Sequence, residues 1–438
     1  MTSILVAIFA TFLIGLPIAR SVDPRGDGFT IAGTSFLYGS GATFFVLLLL
    51  SGLGVTWSPA VVGAACVILF ATAVVLARRA APSGARAAPP PLHGLDVLTL
   101  ATLVGYALYA TLAPPWEIDF WAIWGLKGRA FLEAGGLDWH FLESPWNVFQ
   151  HPDYPMLLPF AFDFASLVNG SWDDRWMGLL YVAWGASLVL VVRSLASRES
   201  SPPCAALIAF ALAAPCASRY IGLAEGALVA FGAASLLFLR EALRTGEPAT
   251  WRHGALLLGF AANCKNEGVA LLAAVTLAMA VAGPRAGLAS RVKRLWPAYA
   301  LAAPWIAIRA FHALPTDLAG GGALARFVER LGHADSILAL LAARLFQPWA
   351  WIALVAALLV IPVAAIVRER FVLAATAIQL VFFVAAYFAT PYDVAWHVWA
   401  SWPRLTSQLV VPVSFVVLLA LVAALSESPG TPPRGSPA

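Results

Sequence analysis

The feature that most constrains this chain is a run of about thirteen apolar stretches covering nearly all of its 438 residues. They fall at roughly 2–19, 34–55, 59–77, 95–113, 174–194, 203–217, 222–239, 254–264, 267–283, 296–311, 347–367, 371–389 and 409–425. A hydrocarbon core of about 30 Å takes about 20 helical residues to cross. Within lipid each backbone N–H and C=O must be satisfied inside the protein, so runs of this length resolve as helices. The expectation is an all-α polytopic membrane protein, a bundle of about 11–13 transmembrane helices. Only 11% of residues are charged and 61% are hydrophobic, against about a quarter charged in soluble domains. The chain therefore reads as a single transmembrane domain, 1–425, with a tail at 426–438 of disordered composition. The opening MTSILVAIFA lacks a basic n-region and reads as a retained helix. Cys66, Cys204, Cys216 and Cys264 lie in or beside apolar runs with no C-x-x-C, as buried small side chains do. The net charge of +4 is loop charge and gives no nucleic-acid footprint.

Orientation follows from the cations. Arg78, Arg79 and Arg86 share one loop, and Arg193 and Arg198 a second. Arg240, Arg244 and Arg252 share a third. Arg285, Arg291, Lys293 and Arg294 form a fourth, and Arg368 with Arg370 a fifth. These alternate with the apolar runs, and the positive-inside rule makes them cytoplasmic. The loops 114–173, 219–225, 265–267, 312–336 and 390–408 are then extracytoplasmic. The first of these is an acidic, tryptophan-rich island. From Pro114 to Asp174 it holds nine carboxylates and two cations, Lys127 and Arg129. Within 155–171 the apolar stretch is interrupted by Pro159 and Asp163, which predicts a re-entrant or interfacial segment.

Four stretches carry a family likeness: Asp119–Arg129 with W-x-x-K-x-R, His151–Pro159 beginning HPDYP, KNEG at Lys265–Gly268, and RLTSQLVVP at Arg404–Pro412. Their order and common sidedness resemble the GT-C membrane glycosyltransferases, in particular the branch of protein O-mannosyltransferases and lipid A aminoarabinose transferases. The resemblance implies a GT-C bundle whose external first loop carries short juxtamembrane helices. It also implies transfer of a sugar from a polyprenyl-phosphate donor to an acceptor outside the cytoplasm, with a loop carboxylate as base. Two departures stand out. Three apolar runs precede the helix before the island, and the acidic pair is split as Glu117-Ile-Asp119.

On that resemblance the roles follow from charge. An acceptor hydroxyl needs a carboxylate to take its proton, for which Asp119 is the first candidate and Glu117 the second. A phosphate leaving group needs cations at the developing charge; the candidates are Lys127, Arg129, Lys265 and Arg404. For acceptor or sugar binding the candidates are His151, Asp153, Tyr154, Glu225, Glu267 and His397. His151 with a carboxylate would supply part of a divalent metal site, but two or three ligands do not define one. The same residues also have plainer roles. Lys265 can pair with Glu267, Arg404 can anchor at the interface, and the tryptophans near His397 can form an aromatic belt. Protein, lipid and glycan acceptors all stay open. The rival class is a multi-pass transporter or flippase, whose sites sit at the midplane of repeated halves; no internal repeat is visible here, and the charges crowd one boundary.

Overall fold

The computed structural model describes residues 2–80, 87–112, 117–283, 285–316, 322–345, 359 and 361–426. Every element among them is helical. Eight helices are long and apolar enough to cross a membrane: α1 (Thr2–Val22), α2 (Gly28–Gly52), α3 (Pro59–Arg79), α4 (Gly94–Leu112), Asp174–Ser197, Glu225–Thr245, Arg370–Ala389 and Val394–Leu425. Leu157–Asn169, Pro202–Cys216 and Asn266–Ala278 are shorter apolar helices. Residues 347–358 and 360 of the expected run at 347–367 lie outside the described residues, as does the tail from 427. The observed long spans are thus fewer than the apolar runs, because several runs form helices of 13 to 16 residues.

Burial sorts the helices. α3 and α4 bury only three residues each, Val62, Cys66 and Ala73 on one and Thr99, Tyr106 and Ala110 on the other. Their remaining apolar surface faces outward, as suits a hydrocarbon solvent. The helix Glu225–Thr245 is the opposite case: it is buried on all sides from Glu225 to Ala242 and forms the centre of the bundle. α1 and α2 cross tightly because a Cβ on Gly15 would fall 1.8 Å from the Ser35 carbonyl oxygen, and one on Gly39 1.8 Å from that of Thr11. Only glycine permits this approach.

Both ends of the bundle are tied by polar contacts. At one end Arg193 pairs with Asp96 at 2.8 Å, Arg240 joins Glu199 and Glu369, and Asp27 takes hydrogen bonds from Thr30 and Ser194. Here the described basic loops meet. The island and the other polar loops gather at the opposite end. The island folds into a five-residue π-helical segment (Phe120–Trp124), α5 (Gly125–Ala134), α6 (Trp139–Glu143) and α7 (Leu157–Asn169). α7 corrects the interrupted reading of 155–171. Pro159 sits in its first turn, where its missing N–H is no loss, and Asp163 continues the helix fully buried. α7 packs against α1, α2 and α5, inside the bundle. α6 is clamped from outside, with the Glu143 carboxylate 2.6 Å from His312 Nδ1 and Trp139 stacked on the His312 ring at 3.8 Å. Exposed Trp121, Trp146, Trp396 and Trp399 surround this end, as in an interfacial belt.

Candidate functional site

Five side chains from four distant parts of the sequence join in a line of alternating charge. Asp119 Oδ2 lies 2.5 Å from Arg404 Nη1. Arg404 Nε lies 3.7 Å from Glu225 Oε1, and Lys265 Nζ lies 3.1 Å from that same oxygen. Lys265 Nζ then reaches Glu267 Oε1 at 2.7 Å. Glu225 and Lys265 are buried, and Asp119 keeps a quarter of its side chain exposed. Three carboxylates and two cations out of bulk water are tolerable only because each touches an opposite charge.

Local structure explains the placement. Glu225 opens the central helix and Glu267 lies in the first turn of Asn266–Ala278, where the positive end of the helix dipole favours carboxylates. Lys265 is the extended residue before that helix, φ −165°. The tight return from Pro248–Ala261 needs Gly268, since a Cβ there would meet the Ala261 carbonyl oxygen at 1.9 Å. Asn263 holds the turn by donating to the Gly259 and Leu301 carbonyls. Asp119 precedes the π-helical segment and makes no capping bond, so its carboxylate is free to reach Arg404 on the last helix. Wide helical turns of this kind recur at functional sites.

The HPDYP loop packs alongside. His151 adopts φ 49° and stacks on Tyr154 at 4.4 Å. The Tyr154 ring has the Lys127 ammonium at 5.6 Å and that of Lys265 at 5.9 Å, a cation–π bridge between loop and charge line. Asp153 is fully buried; its Oδ2 accepts from Asn266 Nδ2 at 2.9 Å and lies 3.7 Å from Arg309 Nη1. Trp305 Nε1 donates to its carbonyl at 3.1 Å. Asn266, Trp305 and Arg309 were not singled out from sequence. Arg309 had one visible signal, as a lone cation at the end of an otherwise apolar helix.

Several expected members stand apart. Arg129 projects from the exposed face of α5 and pairs with Glu133 one turn on, away from the charge line. Lys127 is fully enclosed, donates to the His151 carbonyl at 2.5 Å and lies over Trp124. Burial pushes its ammonium down to about 7 against the pull of Asp153, and its bond to the His151 carbonyl ties α5 to the HPDYP loop. His397 sits in an aromatic cluster with Tyr387, Tyr392 and Trp396. Glu117 is half-buried just before the π-helical segment, and its carbonyl accepts the Phe120 N–H at 2.9 Å. Among the described residues, no group of three or more His, Cys, Asp or Glu is arranged to hold a metal ion.

No protein-family model, curated protein or solved structure matches this chain.

Proposed function

We propose that the protein is a membrane glycosyltransferase that moves a sugar from a polyprenyl-phosphate donor to an acceptor hydroxyl on the extracytoplasmic side. One observation carries this reading: the loop carboxylate Asp119 pairs with Arg404, and Arg404 and Lys265 flank the same oxygen of the buried Glu225. A base and a pair of phosphate ligands are the two functions such a transfer needs. In this scheme the acceptor oxygen forms a bond to the anomeric carbon. The bond from that carbon to the phosphate oxygen breaks, with its electron pair leaving on the phosphate. Asp119 takes the acceptor proton on the oxygen not held by Arg404. Lys265 and Arg404 receive the phosphate charge, Arg404 through its planar fork and Lys265 as a point charge.

The orientation of the site is part of the proposal, and rests on the basic loops gathering at the opposite end. Asp119→Asn tests the base. The amide keeps the shape and cannot take a proton. Turnover in a reconstituted transfer assay should fall by roughly 100-fold or more, with donor binding retained. Near-normal turnover in this variant would remove Asp119 from the scheme.

A further inference from the structure

Within the charge line and below it, the bundle buries polar atoms with no hydrogen-bond partner among the described residues. They include Glu267 Oε2, Arg404 Nε, Gln379 Oε1, Gln408 Nε2 and Thr376 Oγ1. Gln379 is 1% exposed, and Thr376 and Gln408 8% each. Native interiors rarely leave such groups unpaired, and apolar residues would be the cheaper filling.

These groups share one seam. The helix Asn266–Ala278 packs on Arg370–Ala389, which packs on Val394–Ser426, and that helix packs on the central Glu225–Thr245. Gln379 Nε2 donates to the Glu267 carbonyl at 3.0 Å, fixing Gln379 beside the charge line. Thr376 lies on the same face three residues earlier, and Gln408 follows Arg404 by one turn. The hydrogen bond between Tyr387 Oη and Ser401 Oγ, 2.8 Å, ties the last two antiparallel helices together near their outer ends. From that bond Gln379 lies about 12 Å inward on one helix and Gln408 about 10.5 Å inward on the other, at 1.5 Å per residue. By this count the two amides lie at similar depth along their helices, with Thr376 about 4.5 Å deeper.

The chemistry is mixed and neutral beyond Glu267 and Arg404: two amides and a hydroxyl present both donors and acceptors. A hydroxyl donates and accepts at once, so a polyol satisfies such a set where an anion or an alkyl chain does not. We propose that Gln379, Gln408 and Thr376 form the compartment that recognises the hydroxyl groups of the sugar. The assignment deepens, and rests on, the transferase reading of the adjoining charge line. Sugar selectivity then resides in neutral side chains of the last two helices, and phosphate binding in Lys265 and Arg404.

Gln408→Leu and Thr376→Val separate the two functions. Each removes an unpartnered polar atom, so melting temperature should hold or rise. The probes are undecaprenyl phosphate, bare and carrying mannose, galactose or 4-amino-4-deoxyarabinose, titrated against full-length protein in nanodiscs. Wild type should prefer one glycosylated lipid over the bare one. Each variant should lose about 10-fold of that preference, the scale of one buried hydrogen bond, with bare-lipid affinity kept within about twofold. Variants that fold and keep the full preference would overturn the compartment and leave the transferase reading intact. A wild type that binds neither bare nor glycosylated lipid would overturn both.

Discussion

Glu225 is the hinge of the charge line, and Glu225→Gln is the perturbation that tests it. The substitution keeps shape and removes one charge. Glu225 is 1% exposed, and its Oε1 faces Lys265 at 3.1 Å and Arg404 at 3.7 Å. At an effective dielectric near 20 each attraction is on the order of 5 kcal/mol before desolvation. Without Glu225 both cations keep a partner, Glu267 at 2.7 Å and Asp119 at 2.5 Å, but they share one space with nothing between them. Breaking a buried pair costs about 3–5 kcal/mol, and the surviving partners put this case near 3. At about 2 °C per kcal/mol that is a fall of roughly 6 °C in the unfolding midpoint, read from intrinsic fluorescence in detergent. Glu225→Gln with Lys265→Met should be less damaging than the sum of the singles, because the second change removes the cation that the first exposes. A Glu225→Gln protein as stable as wild type, or a strictly additive double variant, would refute this account of the line.

Three further outcomes follow from the geometry. In a background with the half-buried Cys204 changed to Ser, cysteines at Ala134 and Ala395 should react with an impermeant thiol reagent in intact cells while one at Glu247 does not; the reverse pattern would invert the membrane orientation. For Lys127, the folded-state value of about 7 lies below the ordinary 10.5, so between these limits the unfolded chain binds the extra proton and stability rises with pH, by up to about 1.4 kcal/mol per unit. Lys127→Met should abolish that rise between pH 8 and 9.5, and an unchanged slope would show that Lys127 is not the group responsible. Arg129→Ala should leave both activity and melting temperature near wild type, since its partner Glu133 is as exposed as it is.

What was legible in the sequence was chiefly the class and the segregation of polar groups. Long apolar runs and alternating basic loops specify helices and group their ends, and the described basic loops do meet at one end of the bundle. Helix length was harder to read. Runs such as 203–217 and 254–264 form helices of 15 and 14 residues, which hydropathy alone does not tell from full spans. The interruption at Pro159 misled because a proline in a first turn obeys different rules from one in a helix interior. Asp119 stood out in the acidic island, Glu225 in a short polar loop, Lys265 and Glu267 between short apolar runs and Arg404 where a run begins, but their pairing did not. Asp119 meets Arg404 across 285 positions, a contact no local spacing encodes. Arg129 drew notice through its W-x-x-K-x-R setting and turned outward because α5 presents successive positions to different sides. Gln379, Gln408 and Thr376 escaped notice because a neutral polar residue in an apolar run is ordinary until its partners are known to be missing.

The central claim, a lipid-phosphate sugar transferase that uses Asp119, is tested most directly by mass spectrometry of lipids from cells lacking the protein and complemented with wild type or Asp119→Asn. The account predicts that a glycosylated polyprenyl phosphate accumulates in the deletion and in the Asp119→Asn cells and disappears with wild type. Identical polyprenyl-phosphate profiles in all three would contradict it.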